Sequence, residues 1–253
     1  MRSAIAALWK LAAAAALIGA ASAQAAEIKL VAAAEMRALL RLVPAFEKAS
    51  GHKIKIVWES EPTTKEVVEH WAADAALIPA PDLDRLIAAG VMLRDSRMDV
   101  AKSPLGLAVR EGIPKPDISS AEAVRKAVLS AKSIVHSSGP SGAHLAGLFE
   151  KMGIADRIKD KIERKNFRHR VTEVLMVRRA DLGFDLVSEL MSEGGNGPLQ
   201  FVGPLPSDIQ YITVFAAAIR KTAAAPDAAK ALLKFLAAPE AAAVIRQFGM
   251  EPG

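Results

Sequence analysis

The hexapeptide Ser137-Ser138-Gly139-Pro140-Ser141-Gly142 gathers three hydroxyls beside two glycines and a proline. If a helix starts here, its first N–H groups have no intrahelical partner, and together with the hydroxyls they form a neutral donor cluster suited to an oxyanion or a carboxylate. The stretch lacks the lysine and the spacing of a nucleotide P-loop, which argues against phosphoryl transfer from ATP. Nor is Ser141 set in a G-x-S-x-G elbow, so a hydrolase nucleophile is not indicated. A plain Ser/Gly helix cap would satisfy the same residues. Glu59-Ser60-Glu61-Pro62-Thr63-Thr64 is a second such stretch. There Ser60, Thr63 or Thr64 could donate to a ligand or simply cap a helix, and acids near a helix start are favoured by the dipole without any further role. Ala34-Glu35-Met36 is the third, with Glu35 either a helix-start acid or a cleft residue. Asp74 and Asp185 sit at the edges of apolar runs, where structural roles are the rule. The histidines His52, His70, His136, His144 and His169 show no HxxxH or HxH spacing, and the chain has no cysteine, so no metal site and no cofactor are expected.

The elements that must position these residues alternate between the two periodicities. Glu27–Ala33 reads as a strand and Met36–Ala49 as a helix, with apolar residues at 36, 39, 40, 43 and 46 and Gly51 as its stop. Lys53–Trp58 is a second strand, Pro62–Trp71 a helix, Ala75–Ile78 a buried strand, and Asp82–Ala89 a helix ended by Gly90. Leu105–Arg110 returns as a strand. The pattern then restarts: Ser119–Ala131 reads as a helix opened by a capping box with Ser119 at the cap, and Ser133–His136 as a strand. The serine loop then feeds a helix to Met152. Ala180–Asp185, Leu199–Val202 and Ile209–Ile219 are strands, and Pro226–Ala237 and Pro239–Phe248 are closing helices. A βαβαβ rhythm of this kind predicts an α/β fold with a mostly parallel sheet and helices on both faces, its ligands at strand-to-helix turns.

Composition bounds the classes. The chain has 253 residues, 51% hydrophobic and 5% aromatic, with Lys+Arg 33 against Asp+Glu 28. That is enough for one large domain or two lobes, and too apolar for disorder. Residues 1–10 carry Arg2 and Lys10 without an acid, and Leu11–Ser22 is uncharged and alanine-rich. This is the pattern of a signal peptide over residues 1–25, with small-residue cleavage sites after Ala23 or Ala25; the apolar run is short of the ~20 residues a membrane span needs. Removing residues 1–25 lowers the formal charge from +5 to +3. The basic run Arg157–Arg170 mixes in acids and has a single aromatic, Phe167, so it reads as a solvated surface and no nucleic-acid partner is expected.

Several segments carry a family resemblance: Glu27-Ile-Lys-Leu-Val-Ala-Ala, Val43-Pro-Ala-Phe-Glu-Lys-Ala-Ser-Gly-His-Lys, Leu77-Ile-Pro-Ala-Pro-Asp-Leu-Asp-Arg-Leu, Val202-Gly-Pro-Leu-Pro and the terminal Gly249-Met-Glu-Pro-Gly. Over nearly all of the chain after the leader, it resembles the periplasmic substrate-binding proteins of ABC transporters, in their molybdate-binding-protein-like branch. The resemblance implies a two-lobed type 2 periplasmic-binding-protein-like fold, a ligand cleft between the lobes and hinge closure. It also implies a monomer that delivers a small-molecule solute to an inner-membrane ABC permease. The expected lobes are 27–104 plus 207–253, and 105–206. The ligand contacts of the family fall here on Ala34, Glu35, Ser60, Glu61, Ser137, Ser138, Ser141 and Gly142, and on the strand end at Asp185 and Ser188.

The sequence departs from the family pattern at Glu35 and at Glu59-Ser60-Glu61, where small hydroxyl or Gly/Ser/Thr residues are usual. A carboxylate facing a bound dianion repels it, so a small polar solute, oxyanion or organic acid, is expected in place of molybdate specifically. The family also includes small-organic-acid proteins, among them a periplasmic aconitate isomerase. The alternative reading is therefore an enzyme of the same fold, with Glu35, Asp185 or His136 moving a proton. A third is a sensor module in which Glu35 and Glu61 have abolished the site.

Overall fold

The computed structural model describes residues 25–59, 65–70, 72–163, 170–177, 179–194 and 199–253. Residues 1–24, where a signal peptide is expected, lie outside the described residues, as do Ser60, Glu61, Thr63, Thr64, Trp71 and His169. Among the described residues no helix is long and apolar enough to cross a membrane.

Strand β1 (Glu27–Ala33) is followed by a 3-10 segment, Ala34–Leu42, that runs into helix α1 (Val43–Ser50). The single helix expected over 36–49 is thus two pieces. Met36 leaves helical geometry, and Pro44, which has no N–H to give a preceding carbonyl, fits only as the first turn of a new helix. Gly51 ends α1 at φ 73°, a left-handed cap open to glycine. Next come β2 (Lys53–Glu59), α2 (Lys65–His70), β3 (Ala75–Pro79) and α3 (Ala80–Ala88). Strand β4 is longer than its apolar run, covering Met98–Arg110. Asp99, Lys102, Ser103 and Pro104 hide its first half from a reading based on hydrophobicity.

Helix α4 (Ala121–Ser130) is capped by Ser120, whose hydroxyl accepts from the Ala123 N–H at 3.2 Å. The capping box expected at Ser119 is not formed, because the Ser119 N–H is held by Asp117 at 2.8 Å. Then follow β5 (Ile134–His136), α5 (Gly139–Lys151), the short α6 (Ala155–Ile158), α7 (Val171–Met176), β6 (Leu182–Leu186) and α8 (Val187–Gly194). The chain closes with β7 (Leu199–Pro204), β8 (Ile212–Ile219), α9 (Pro226–Leu236), α10 (Pro239–Gln247) and β9 (Glu251–Pro252).

Among the described residues nine strands join in the order β2-β1-β3-β8-β4-β6-β5, with β7 and β9 also on β4. Strands β1 with β2, β1 with β3, and β5 with β6 are parallel; every pairing made by β4 or β8 is antiparallel. The expectation of a mostly parallel sheet is corrected by these two strands, the first of which carries the chain between the halves of the sheet. Met98–Pro104 pairs with β8, whereas Leu105–Arg110 pairs with β6 and β7. Pro104 sits where the partners change, a place where a missing N–H costs least.

Helices cover both faces. Val68 of α2 and Leu83 and Leu86 of α3 pack with Val31, Ala76, Ile78 and Ala216 of the sheet. The opposite face continues through both halves of the sheet, from Ile28, Phe46 and Leu77 to Leu105, Phe149 and Phe184. Ala75, Ala76 and Ala216–Ala218 are fully buried, and their small side chains let helices approach the sheet closely. Asp74, also buried, is structural: it accepts from the N–H groups of Lys29, Ala224 and Ala225, tying β1 to the start of α9.

Candidate functional site

A cleft of about 390 Å³ opens at the carboxyl ends of β1 and β3, where ligands of α/β sheets bind. One wall comes from the first half of the sheet: Ala33 and Glu35 after β1, Pro79 to Asp82 with Asp84 and Arg85 at the start of α3, and Tyr211 to Phe215 leading into β8. The other wall is Ser138, Pro140, Ser141 and Leu186 from the second half. A cavity of about 310 Å³ around Lys29, Lys55 and His70 is lined from the first half alone.

The serine loop is shorter than expected, since α5 already begins at Gly139 and takes Ser141 and Gly142 into its first turn. Ser138 is the N-cap residue, yet its hydroxyl makes no capping bond and the residue lines the cleft. The Ser141 hydroxyl lies 2.8 Å from that of Ser137, which is buried behind it. His136 supports this turn by donating from Nδ1 to the Ser137 carbonyl at 2.8 Å. Gly142 backs directly onto that carbonyl: a Cβ there would stand 1.8 Å from the oxygen. The donor cluster on this wall is therefore two cleft hydroxyls at the positive end of a 13-residue helix.

The facing wall is acidic. Glu35, half-buried, opens the 3-10 segment after β1, while Ala34 beside it is buried and does not line the cleft. Asp82 pairs with Arg85 one turn on, and Asp84 receives Arg97 Nε at 2.7 Å. Arg97 also bonds Asp99 at 2.9 Å; the hydrogen bond to Asp84 is the main reason its guanidinium pKa is raised above the ordinary value. Tyr211, the one tyrosine in the sequence, stacks on His144 with ring centroids 5.1 Å apart. His144 donates from Nε2 to the Ile209 carbonyl at 3.1 Å.

The fold thus brings Glu35, Ser138 and Ser141 to one cleft, with Ser137 and Gly142 directly behind it. Asp185 and Ser188 are outside the lining. Asp185 is buried and accepts from the Leu186 N–H at 2.9 Å, and Ser188 lies in the first turn of α8, bonded to Ser103 of β4 at 3.1 Å. Ser60 and Glu61 fall outside the described residues. Sequence reasoning passed over Asp82, Asp84, Arg85 and the Tyr211–Phe215 wall. The signal was Pro79-Ala-Pro-Asp82, a strand-to-helix turn like the three singled out, at the end of the third parallel strand. Among the described residues no group of three or more His, Cys, Asp or Glu side chains is placed to hold a metal ion.

This architecture, a mixed sheet whose two halves flank a cleft, is the type 2 periplasmic-binding-protein fold. It superposes on the periplasmic molybdate-binding protein of Azotobacter vinelandii with a TM-score of 0.70 at 22% identity, covering 88% of this chain and 98% of that one. The sulfate-binding protein SubI of Mycobacterium tuberculosis gives 0.69 at 20% identity, covering 90% and 87%. Residues 28–251 match the family model for bacterial extracellular solute-binding proteins, and the chain belongs to that family. A relative from Pseudomonas sp., named aconitate isomerase, is 32% identical over 224 residues, which is 86% of this chain and 84% of that protein. Membership of an extracellular family implies export.

Proposed function

We propose that the protein captures a small organic acid in this cleft and delivers it to an inner-membrane ABC permease. The observation that carries the reading is the division of the cleft: Ser138, Ser141 and a helix N-terminus on one wall, Glu35, Asp82 and Asp84 on the other, and apolar Pro79, Pro81, Leu186, Ile212, Val214 and Phe215 among the lining residues. A carboxylate docks on the α5 wall, its carbon skeleton lies along the apolar residues, and a hydroxyl or other uncharged group meets Glu35. The volume is at the lower end of small-molecule pockets. An inorganic dianion cannot separate its charge from Glu35 in this way; each unit pair at 4 Å costs about 4 kcal/mol at an effective dielectric of 20.

On this reading the lobes are 27–104 with 207–253, and 105–206, the working form is a monomer, and the leader is cut after Ala23 or Ala25. A thermal-shift panel of molybdate, sulfate, hydroxy acids, and di- and tricarboxylates tests it. A ligand at a hundredfold excess over Kd stabilises by about 2.7 kcal/mol, which is about 5–11 °C for a domain of this size. Organic acids should give the largest shift, and Ser141→Ala should weaken that binding by roughly 2- to 10-fold, as for one lost hydrogen bond. Molybdate giving the largest shift would sink the charge argument.

The Pseudomonas relative supports a second reading, isomerisation of an unsaturated tricarboxylic acid with Glu35 moving the proton. Conversion of cis- to trans-aconitate followed by NMR, and lost in Glu35→Gln, would establish it; no conversion by the intact protein would reject it.

A further inference from the structure

The chain passes between the halves of the sheet twice among the described residues, inside β4 at Pro104–Leu105 and again over Leu205–Tyr211. One side chain bonds both passages. The Gln210 Oε1 accepts from the Leu105 N–H at 2.7 Å and from the Tyr211 N–H at 2.9 Å. Its Nε2 donates to the Leu105 carbonyl at 3.2 Å and to the Leu205 carbonyl at 2.9 Å. Both donors and both acceptor positions of the amide are used, so only one orientation of the group fits. Leu105 and Leu205 are buried and Gln210 is half-buried, so these bonds are partly shielded from competing water. The two passages also bond each other, Leu105 N–H to Tyr211 O at 3.0 Å and Leu205 N–H to Leu105 O at 2.9 Å.

We infer that Gln210 is a positioning residue that staples the two crossing segments into one hinge and fixes Tyr211 in the cleft wall. The inference rests on the reading that the halves close over a solute. Hinges absorb a change in φ and ψ at a few residues. With both passages tied through one amide, the halves turn about a single axis and do not slide. The bond to the Tyr211 N–H fixes the tyrosine backbone, and the His144 ring, itself bonded to Ile209 O, supports its side chain. The setting of the cleft wall and the opening of the hinge are therefore coupled at consecutive residues.

The absence of cysteine and the single tyrosine make the test direct. Cysteines placed at the exposed Lys48 on α1 and Lys151 on α5 carry spin labels for a distance distribution between the halves, and selectively labelled tyrosine gives one ring resonance in NMR. The full chain is used without solute. Gln210→Glu keeps the shape and the two accepted bonds but turns an oxygen toward two carbonyls. It should broaden the distance distribution and replace the sharp Tyr211 signal by a broadened or split one. Gln210→Met, which removes both kinds of bond, should do the same and serves if the Glu variant does not fold. Ser120→Ala, which removes the α4 cap and none of the Gln210 bonds, should leave both readouts as in the wild type. Unchanged width and an unchanged tyrosine signal in a folded Gln210 variant would overturn the inference, as would equal changes in Ser120→Ala. Because no solute is used, a panel in which nothing binds defeats the functional reading and leaves this test standing.

Discussion

Helix α5 holds two glycines for which substitution by alanine should have opposite effects. At Gly142 a Cβ would stand 1.8 Å from the Ser137 carbonyl oxygen, 2.8 Å from its carbon and 3.4 Å from His136 Nδ1. Opening the first contact to at least 3.0 Å requires a movement of 1.2 Å. The loop cannot easily yield, because the Ser137 N–H is bonded to Phe184 of β6 at 3.0 Å and its carbonyl to His136. Overpacking of this kind costs about 1–3 kcal/mol, and at roughly 2–4 °C per kcal/mol for a chain of this size the Tm falls by about 2–12 °C. At Gly147, five residues on in the same helix, nothing lies within 4 Å of the added Cβ. There alanine recovers the conformational freedom glycine loses in a helix, about 0.5–1 kcal/mol, and the Tm rises by about 1–4 °C. Thermal unfolding of both variants by circular dichroism provides the check. A Gly142→Ala protein that melts at or above the wild type would refute the close approach of loop and helix on which the Ser137–Ser141 arrangement depends. A Gly147→Ala protein that falls as far as Gly142→Ala would show that the loss does not come from this contact.

Other consequences are open to measurement. Asp74→Ala strands three N–H groups, at Lys29, Ala224 and Ala225. At about 1–3 kcal/mol for each unsatisfied group, urea unfolding should register a loss of about 3 kcal/mol or more; a loss below the cost of one bond would contradict the role given to this residue. Glu47 is held below its ordinary pKa chiefly by the hydrogen bond from Lys53, then by the Ile54 N–H. A carboxyl group with a depressed folded pKa stabilises above its unfolded pKa, and that contribution disappears as the pH falls through the folded value. Glu47→Gln should therefore flatten the acid limb of a Tm–pH profile, and an unaltered limb would speak against the Lys53–Glu47 bond.

Most elements of the fold are legible because their apolar residues follow one period. Glu27–Ala33 is found with its observed limits, and Pro226, Pro239 and Gly51 mark helix ends by their own stereochemistry. What escapes the sequence depends on pairing. The first half of β4 is polar enough to pass for a loop, yet it is a strand because β8 and β9 supply partners. The same strand turns a parallel pattern into a mixed sheet, which no local signal announces. In the site, the serine loop is visible from composition, while its partners Tyr211 and Arg85 are residues of ordinary type in ordinary contexts. Their role comes from lying beside the carboxyl ends of β1 and β3, Arg85 on the helix after β3 and Tyr211 just before the antiparallel β8. Ser188 shows the converse, a hydroxyl at a promising strand end that packing has committed to Ser103.

The acids in the cleft discriminate between classes of organic acid more sharply than fold similarity does. Asp82 and Asp84 are already paired with Arg85 and Arg97, so the charge presented to a solute depends on whether those pairs persist. A solute with one carboxylate can satisfy the α5 wall and leave both pairs intact, and simple capture needs nothing more. A tricarboxylate brings further negative charge toward the opposite wall, and Arg85 is the cleft-lining cation able to meet it, by leaving Asp82. Arg85→Gln therefore separates the two classes of solute. Calorimetry should show a monocarboxylate bound by this variant with affinity close to the wild type, whereas a tricarboxylate should lose binding by about 10-fold or more, as for one charge-assisted hydrogen bond. Equal loss for both classes would mean that Arg85 shapes the wall and does not read the solute.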